Sequence, residues 1–173
     1  MARPYDTEKD ASGIPVPQYE TVAGTESEPW KGEDDAAFVH PRLYNGATWD
    51  RQCNNKSGTL LATLARTATP TAVDQVNYNA RGIVIIIDVT AVANTPSVVF
   101  TIEGKDIASG KYYTILASAA ITGTGTTVLR VYPGLTAAAN VTVSDILPRD
   151  WRLVATHADA DSITYSVGYS YVL

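Results

Sequence analysis

The sequence predicts an all-β protein, an antiparallel β-sandwich of jelly-roll or Ig-like type preceded by an extended N-terminal arm. The longest apolar run, residues 81–92, consists mainly of β-branched side chains, which crowd a helix but fit a pleated sheet. Residues 162–173 alternate apolar or aromatic with small polar side chains, as a half-buried strand does. Turn signals recur every ~8 to 12 residues without a convincing long helix, which is typical of a sandwich or barrel.

The run 81–92 is expected to be the central strand. Successive strand residues point to opposite faces, so Ile85, Ile87 and Val89 would share the core face and Ile86 would lie on the other. That second face is also largely apolar, which predicts a cover: a second sheet layer, an N-terminal segment or a neighbouring subunit. Ile86 is therefore a candidate assembly contact. A buried helix is the competing interpretation of a short apolar run, and the three consecutive isoleucines make it the weaker one.

The N-terminal residues 1–37 differ in kind from the rest of the chain. They are rich in proline, glycine and carboxylates and keep no sustained period, so we predict an extended arm and assign the sandwich to 38–173. A disordered, solvated tail is the alternative. Tyr5, Tyr19 and Trp30 favour the arm, because aromatic side chains gain by burial against a partner. These three residues are candidate assembly contacts.

The folded part begins with a hairpin signal, Asn45-Gly46, between two β-forming flanks. Trp49, just after it, is a further candidate contact on the domain itself. Residues 59–67 fit either a strand or a short helix, and a polar connection through 74–79 leads to the central strand. Further strands are predicted at 97–105, 112–120, 127–132, 140–144 and 151–157, before the last one at 162–173.

Composition limits the kinds of partner that we expect. The chain has 173 residues and a formal net charge of -5, which disfavours a surface that neutralises many nucleic-acid phosphates. No stretch reaches the ~18 apolar residues of a membrane helix, and the N-terminus lacks the apolar core of a signal peptide. We expect a protein made in the cytoplasm, without nucleic-acid or membrane partners. With Cys53 as the single cysteine, stability should come from packing or assembly.

Few residues suggest catalysis, metal binding or cofactor binding, and we predict none of the three. The histidines are His40 and His157, and the second is in phase with buried positions near a strand end, as a structural histidine would be. Asp159 and Asp161 flank a turn and could touch calcium, but turn formation explains them better. Residues 104–111 superficially resemble a phosphate loop, but their glycine spacing is one residue too long and Tyr112 stands where Ser or Thr should coordinate magnesium, so we predict a hairpin.

Several short runs resemble small structural proteins encoded among the virion genes of tailed bacteriophages. Examples are Leu-Tyr-Asn-Gly-Ala-Thr-Trp-Asp-Arg at 43–51 and Val-Leu-Arg-Val-Tyr-Pro-Gly-Leu at 128–135; the other runs are 58–62, 79–82, 104–106 and 110–113. The similarity extends from about residue 43 to the C-terminus and leaves the arm uncovered. It implies a non-enzymatic component of a virus particle, without indicating which one.

Two functions are compatible with this resemblance. The first is an accessory capsid or collar protein whose arm docks on its neighbours and which self-associates. The second is a tail-fibre or adhesin module that binds a host receptor or glycan; the absence of fibre repeats favours the first. The implied partners are other virion proteins of the capsid, portal, collar or tail, together with further copies of the chain. The implied location is the virion, after synthesis in the host cytoplasm.

Overall fold

The structure, a computed structural model, describes residues 56–173 with their side chains and, before them, the backbone of four short strands. These are β1 (Gln18–Glu20), β2 (Ser27–Pro29), β3 (Arg42–Tyr44) and β4 (Trp49–Arg51). From residue 56 onward every regular element is a strand: β5 (Ser57–Arg66), β6 (Gln75–Val76), β7 (Gly82–Val92), β8 (Val98–Lys105), β9 (Tyr112–Ala117), β10 (Gly125–Val131), β11 (Thr142–Val143), β12 (Asp150–His157) and β13 (Ile163–Val172).

Two sheets pack together and confirm the predicted sandwich. One has five strands in the order β11-β10-β7-β13-β5, and the other has four in the order β6-β12-β8-β9. The pairing is antiparallel except between β10 and β11, which run parallel through Arg130 opposite Thr142 and Val131 opposite Val143. The sheets are therefore mostly, but not wholly, antiparallel.

Strand β7 is the middle strand of the five-stranded sheet, as its β-branched sequence predicted. It pairs with β10 on one side and with β13 on the other. Ile83, Ile85 and Ile87 are fully buried and Val89 nearly so, which confirms the predicted core face. Ile86 lies on the opposite face with 42% of its surface exposed.

The facing sheet completes the core with its own alternating strand. Val98, Phe100 and Ile102 of β8 are fully buried, while their neighbours on the other face of β8 are half-buried. In β13 the alternation holds along the whole strand, and five residues of the predicted inward set are buried: Ile163, Tyr165, Val167, Tyr169 and Tyr171. The sixth, Leu173, follows the end of β13 and is exposed. The period of two was therefore a reliable guide wherever one face of a strand meets the core.

An aromatic cluster joins the two sheets. Trp151 of β12 is fully buried, and its Nε1–H donates a hydrogen bond to the hydroxyl of Tyr171 at 2.9 Å. That hydroxyl lies 3.3 Å from the carbonyl oxygen of Val76, to which it donates. The rings of Tyr169 and Tyr171 meet Trp151 edge to face at 6.3 and 6.0 Å. Burial raises the pKa of Tyr171 to about 12, because the charged phenolate is poorly solvated there.

Except for Thr67, residues 59–67, for which the sequence fitted either a strand or a short helix, belong to the edge strand β5. It pairs with β13, but the register slips twice, and each time β5 carries one residue more than β13. These β-bulges explain why Leu60, Leu61 and Leu64 lack a clean period of two. Two other predictions needed correction: the polar connection at 74–79 contains the short strand β6, and the strand predicted at 140–144 is only two residues long, β11.

The predicted hairpin around Asn45-Gly46 is confirmed as a hairpin, because β3 and β4 pair antiparallel. The register sets Tyr44 opposite Trp49, and the turn residues 45–48 lie outside the described residues. In the segment predicted as an arm, β1 pairs antiparallel with β2. By its backbone contacts the chain divides into Met1–Pro41 and Arg42–Leu173, and the predicted limit at 37/38 stays a prediction.

Candidate interaction surface

The surface with the clearest potential for binding is the outer face of the five-stranded sheet, which we call the Ile86 face. Its side chains point away from the core, alternating with the buried positions of three adjacent strands. The members are Val84, Ile86 and Asp88 on β7, Thr126, Val128 and Arg130 on β10, and Ser166, Gly168 and Ser170 on β13.

The register places an apolar pair at the middle of the Ile86 face. Ile86 is directly opposite Val128 on β10 and Gly168 on β13. Gly168 offers no side chain to cover the flank of Ile86, although a Cβ added there would make only an ordinary 3.7 Å contact with the carbonyl oxygen of Gly58. The isoleucine is therefore exposed on a sheet whose backbone groups are paired on both sides.

One acid and one base border this apolar pair. Asp88 accepts a hydrogen bond from the hydroxyl of Thr126 through Oδ1 at 3.1 Å. The guanidinium of Arg130 is exposed and has no hydrogen bond or ion pair with any residue that the structure describes. The other side chains of the face are small or apolar. The surface is therefore close to neutral and has a hydrophobic centre.

The outer face of the four-stranded sheet is different in kind, because its charges satisfy one another. Arg152 Nε lies 2.7 Å from a carboxylate oxygen of Glu103, and its guanidinium stacks 3.4 Å above the ring of Tyr112. Lys105 Nζ lies 2.6 Å from Asp74, which also accepts from the hydroxyl of Tyr112 at 2.7 Å. These hydrogen bonds, that of Lys105 first, hold the pKa of Asp74 below its ordinary value. This face has less to gain from a partner.

A second apolar surface lies at the open side of the sandwich, beside β5. A narrow groove there is lined by Leu60, Leu61, Pro70, Val73 and Leu153, among others. Val73 is 66% exposed, and Leu64 of β5 is 60% exposed. The two bulges break the regular ladder of β5, so this edge is a poor template for adding another strand.

Arg66 reinforces the bulged end of β5. Its guanidinium donates to the carbonyl oxygens of Ala62 at 2.8 Å, Leu64 at 3.1 Å and Tyr165 at 2.8 Å. It also stacks over the ring of Tyr165 with 4.5 Å between its central carbon and the ring centre. One side chain thus ties together three carbonyl groups on the two strands beside the bulges. We read this arrangement as protection of an exposed edge rather than as a binding site.

His157 and Asp161, two of the residues considered for catalysis or metal binding, make contacts that stabilise the fold, and His40 lies outside the described residues. His157 is half-buried at the end of β12, and a ring nitrogen lies 3.2 Å from the hydroxyl of Tyr165. Burial lowers the pKa of His157, with Asp159 opposing and Arg66 adding to the effect. Asp161 accepts from the backbone N–H of Thr95 at 3.1 Å and so fixes a turn. Among the described residues no three histidine, cysteine or carboxylate side chains are grouped to hold a metal.

The loop at 104–111 forms a hairpin, as predicted, because β8 and β9 pair antiparallel on either side of it. The N–H of Asp106 donates to the carbonyl oxygen of Lys111 at 2.8 Å, and the N–H of Gly110 donates to that of Asp106 at 2.7 Å. Gly110 has a φ of 70°, in the left-handed region that glycine adopts easily. The loop connects β8 to β9 and leaves Ile107 72% exposed at its tip.

Of the five candidate contacts, only Ile86 has a described side chain. Tyr19 and Trp49 lie in β1 and β4, where the backbone alone is described, and Tyr5 and Trp30 lie outside the described residues. Sequence reasoning placed Ile86 on the face opposite the core, where it lies, but missed its neighbours Val128 and Arg130; its role as an assembly contact stays a prediction. The alternation of β10 could have shown that both face outward, but only the β7–β10 register shows that they border Ile86.

No protein-family model, curated protein or solved structure matches this chain. Within the part of the chain that the structure describes, there is no helix that could cross a membrane. The function is therefore inferred from the surfaces of the chain and from the resemblance of its short sequence runs.

Proposed function

We propose that this chain is a non-enzymatic structural component of a tailed-phage virion, an accessory capsid or collar protein. It attaches through its N-terminal arm and associates with further copies of itself. The resemblance of its sequence runs to virion proteins supports the particle, and the exposed, nearly neutral Ile86 face supports assembly. One observation carries the proposal: Ile86 is 42% exposed on the central strand β7, which is paired with β10 on one side and with β13 on the other.

Burial of such a face can stabilise a small protein that has a single cysteine. At about 25 cal/mol per Å2, some 1,000 Å2 of apolar interface corresponds to roughly 25 kcal/mol before the costs of association and ordering are subtracted. Exposed apolar patches on otherwise polar surfaces commonly mark interaction sites. The other outer face carries paired charges around Arg152 and Asp74. Burial of that face would remove water from these charged groups, and the desolvation penalty would offset most of the gain.

The arm supplies the second half of the proposal. Residues 1–37 carry too many prolines and carboxylates to build a core, but Tyr5, Tyr19 and Trp30 would each gain by burial against a partner. Ordering an arm costs conformational entropy when it docks, so its anchors should matter for attachment and hardly at all for the folding of the sandwich.

Co-sedimentation with virions tests this proposal. Particles that lack the chain are mixed with the purified full-length protein or with a variant that lacks residues 1–37. We expect the full-length protein to sediment with the particles, and the truncated protein to stay in the supernatant with a nearly unchanged melting temperature. Failure of the full-length protein to bind, or its binding to host envelopes instead, would contradict the proposal; the second result would favour a tail-fibre or adhesin module. Equal binding of both proteins would refute the role of the arm.

A further inference from the structure

We propose that the partner on the Ile86 face is a second copy of this chain, packed face to face about a two-fold axis. In this arrangement Asp88 of each copy meets Arg130 of the other. The inference deepens the self-association part of the proposed function and rests on it. It follows from where the register places the acid, the base and the apolar pair.

The acid and the base lie at diagonal positions around the apolar pair. Along β7, Asp88 follows Ile86 by two residues, and it is opposite Thr126 of β10. Along β10, Arg130 follows Val128 by two residues, and because the strands are antiparallel it lies on the other side of the Ile86–Val128 pair. With a rise of ~3.3 Å per residue and a strand spacing of ~4.8 Å, the midpoint between Asp88 and Arg130 falls between Ile86 and Val128.

A two-fold axis through that midpoint makes the face complementary to itself. If the axis lies in the plane of the interface, at right angles to the line from Asp88 to Arg130, the rotation exchanges these two positions. Both charge pairs then form at once, as an isologous interface requires. Ile86 and Val128 lie close to the axis and pack against their own counterparts. From the strand spacings of a flat sheet, the strands of the two copies would cross at roughly 40°, near the ~30° of aligned sheet packing.

The side chains are free to make these contacts. The guanidinium of Arg130 and Oδ2 of Asp88 have no hydrogen bond with any residue that the structure describes. On the β13 side of Ile86, the face carries only Ser166, Gly168 and Ser170, so a second sheet can approach closely. Stacked sheets lie ~10 Å apart, a distance that an arginine and an aspartate can bridge from opposite sides.

Charge reversal with mixing tests the two-fold contact. Full-length wild type, Asp88→Arg and Arg130→Asp are examined by sedimentation equilibrium over a range of concentrations. We expect a reversible wild-type dimer, and we expect each single variant to raise the dimer dissociation constant at least about tenfold, because like charges meet in both copies. An equimolar mixture of the two single variants should recover dimers, since the arginine introduced at position 88 of one variant would meet the aspartate introduced at position 130 of the other. The double variant should also dimerise.

A matched pair of isoleucine variants separates the face from a general effect of surface charge. Ile86→Arg should abolish the dimer, whereas Ile107→Arg, at the exposed tip of the β8–β9 hairpin, should leave it intact. Circular dichroism and melting curves establish that each variant is folded. A variant that does not fold is replaced by the milder Ile86→Ser or Arg130→Gln, which should also weaken the dimer.

Several outcomes would overturn the two-fold dimer. A wild-type protein that stays monomeric means that the Ile86 face is covered by other residues of the chain or by a different virion protein. If Ile86→Arg then abolished particle binding, the result would support the proposed function and refute the dimer. A mixture of single variants that stays monomeric would exclude the Asp88–Arg130 contact. Conversely, a dimer that never binds particles would keep this inference and refute the virion assignment.

Discussion

At the scale of single residues, Tyr171 shows how one polar atom links the two packed sheets. Its hydroxyl accepts from Trp151 of the four-stranded sheet and donates to Val76 of the short edge strand β6. The hydroxyl and its two partners are thereby satisfied at the boundary of the core. The role could not be read from the sequence, which showed only that Tyr171 faces inward with the other tyrosines of β13.

Replacing Tyr171 by phenylalanine tests this contact. The variant keeps the ring but leaves the buried Nε1–H of Trp151 without its acceptor, so we expect a loss of about 1 to 3 kcal/mol in the free energy of unfolding. Urea denaturation measures the change. Tyr113→Phe is the control, because that tyrosine is 49% exposed and its loss should cost little. Equal effects of the two substitutions would mean that the buried hydroxyl does not hold the sheets together.

The same hydroxyl predicts how stability depends on alkaline pH. The pKa of Tyr171 is raised to about 12 in the folded protein, against about 10 in an unfolded chain. The folded state therefore binds this proton more tightly, and its contribution is fully present below pH 10 and is lost as the pH rises from 10 to 12. Unfolding free energies measured across that range should fall, and less steeply for Tyr171→Phe. A slope remains in that variant, because burial also raises the pKa of Tyr165.

At the scale of strands, the sequence predicted the elements whose pattern is local. β7 was found from its β-branched run, and β8 and β13 from strict alternation, since each has one face in the core. β5 was left between strand and helix, because its bulges spoil the alternation and its identity depends on pairing with the distant β13. The parallel pairing of β11 and the contact of Ile86 with Val128 also depend on tertiary register, which no local pattern contains.

A pair of neighbouring isoleucines tests the two faces of β7. Ile85→Ala should lower the free energy of unfolding by about 2 to 5 kcal/mol, the usual cost for a buried isoleucine. Ile86→Ala should cost much less when it is measured in dilute solution, where the isoleucine faces water. Chemical denaturation of both variants provides the comparison. An unchanged unfolding midpoint for Ile85→Ala would show that β7 is not the centre of the core.

At the scale of the whole molecule, the sandwich of residues 56–173 has two outer faces with different chemistry. One consists of charges and rings already engaged with one another, and the other has an exposed apolar centre between a single acid and a single base. This asymmetry suits a protein that turns one face to solvent and the other to a neighbour. It agrees with the proposed particle component, in which assembly provides stability that a small domain lacks.

A cryo-EM reconstruction of virions that contain the chain tests this account most directly. We predict repeated density that fits the sandwich, with the Ile86 face buried against a second copy and the face around Arg152 turned to solvent. Continuous density should lead from the N-terminal side of Lys56 to a neighbouring virion protein. A map without such density, or one in which the Ile86 face of every copy is open to solvent, would contradict it.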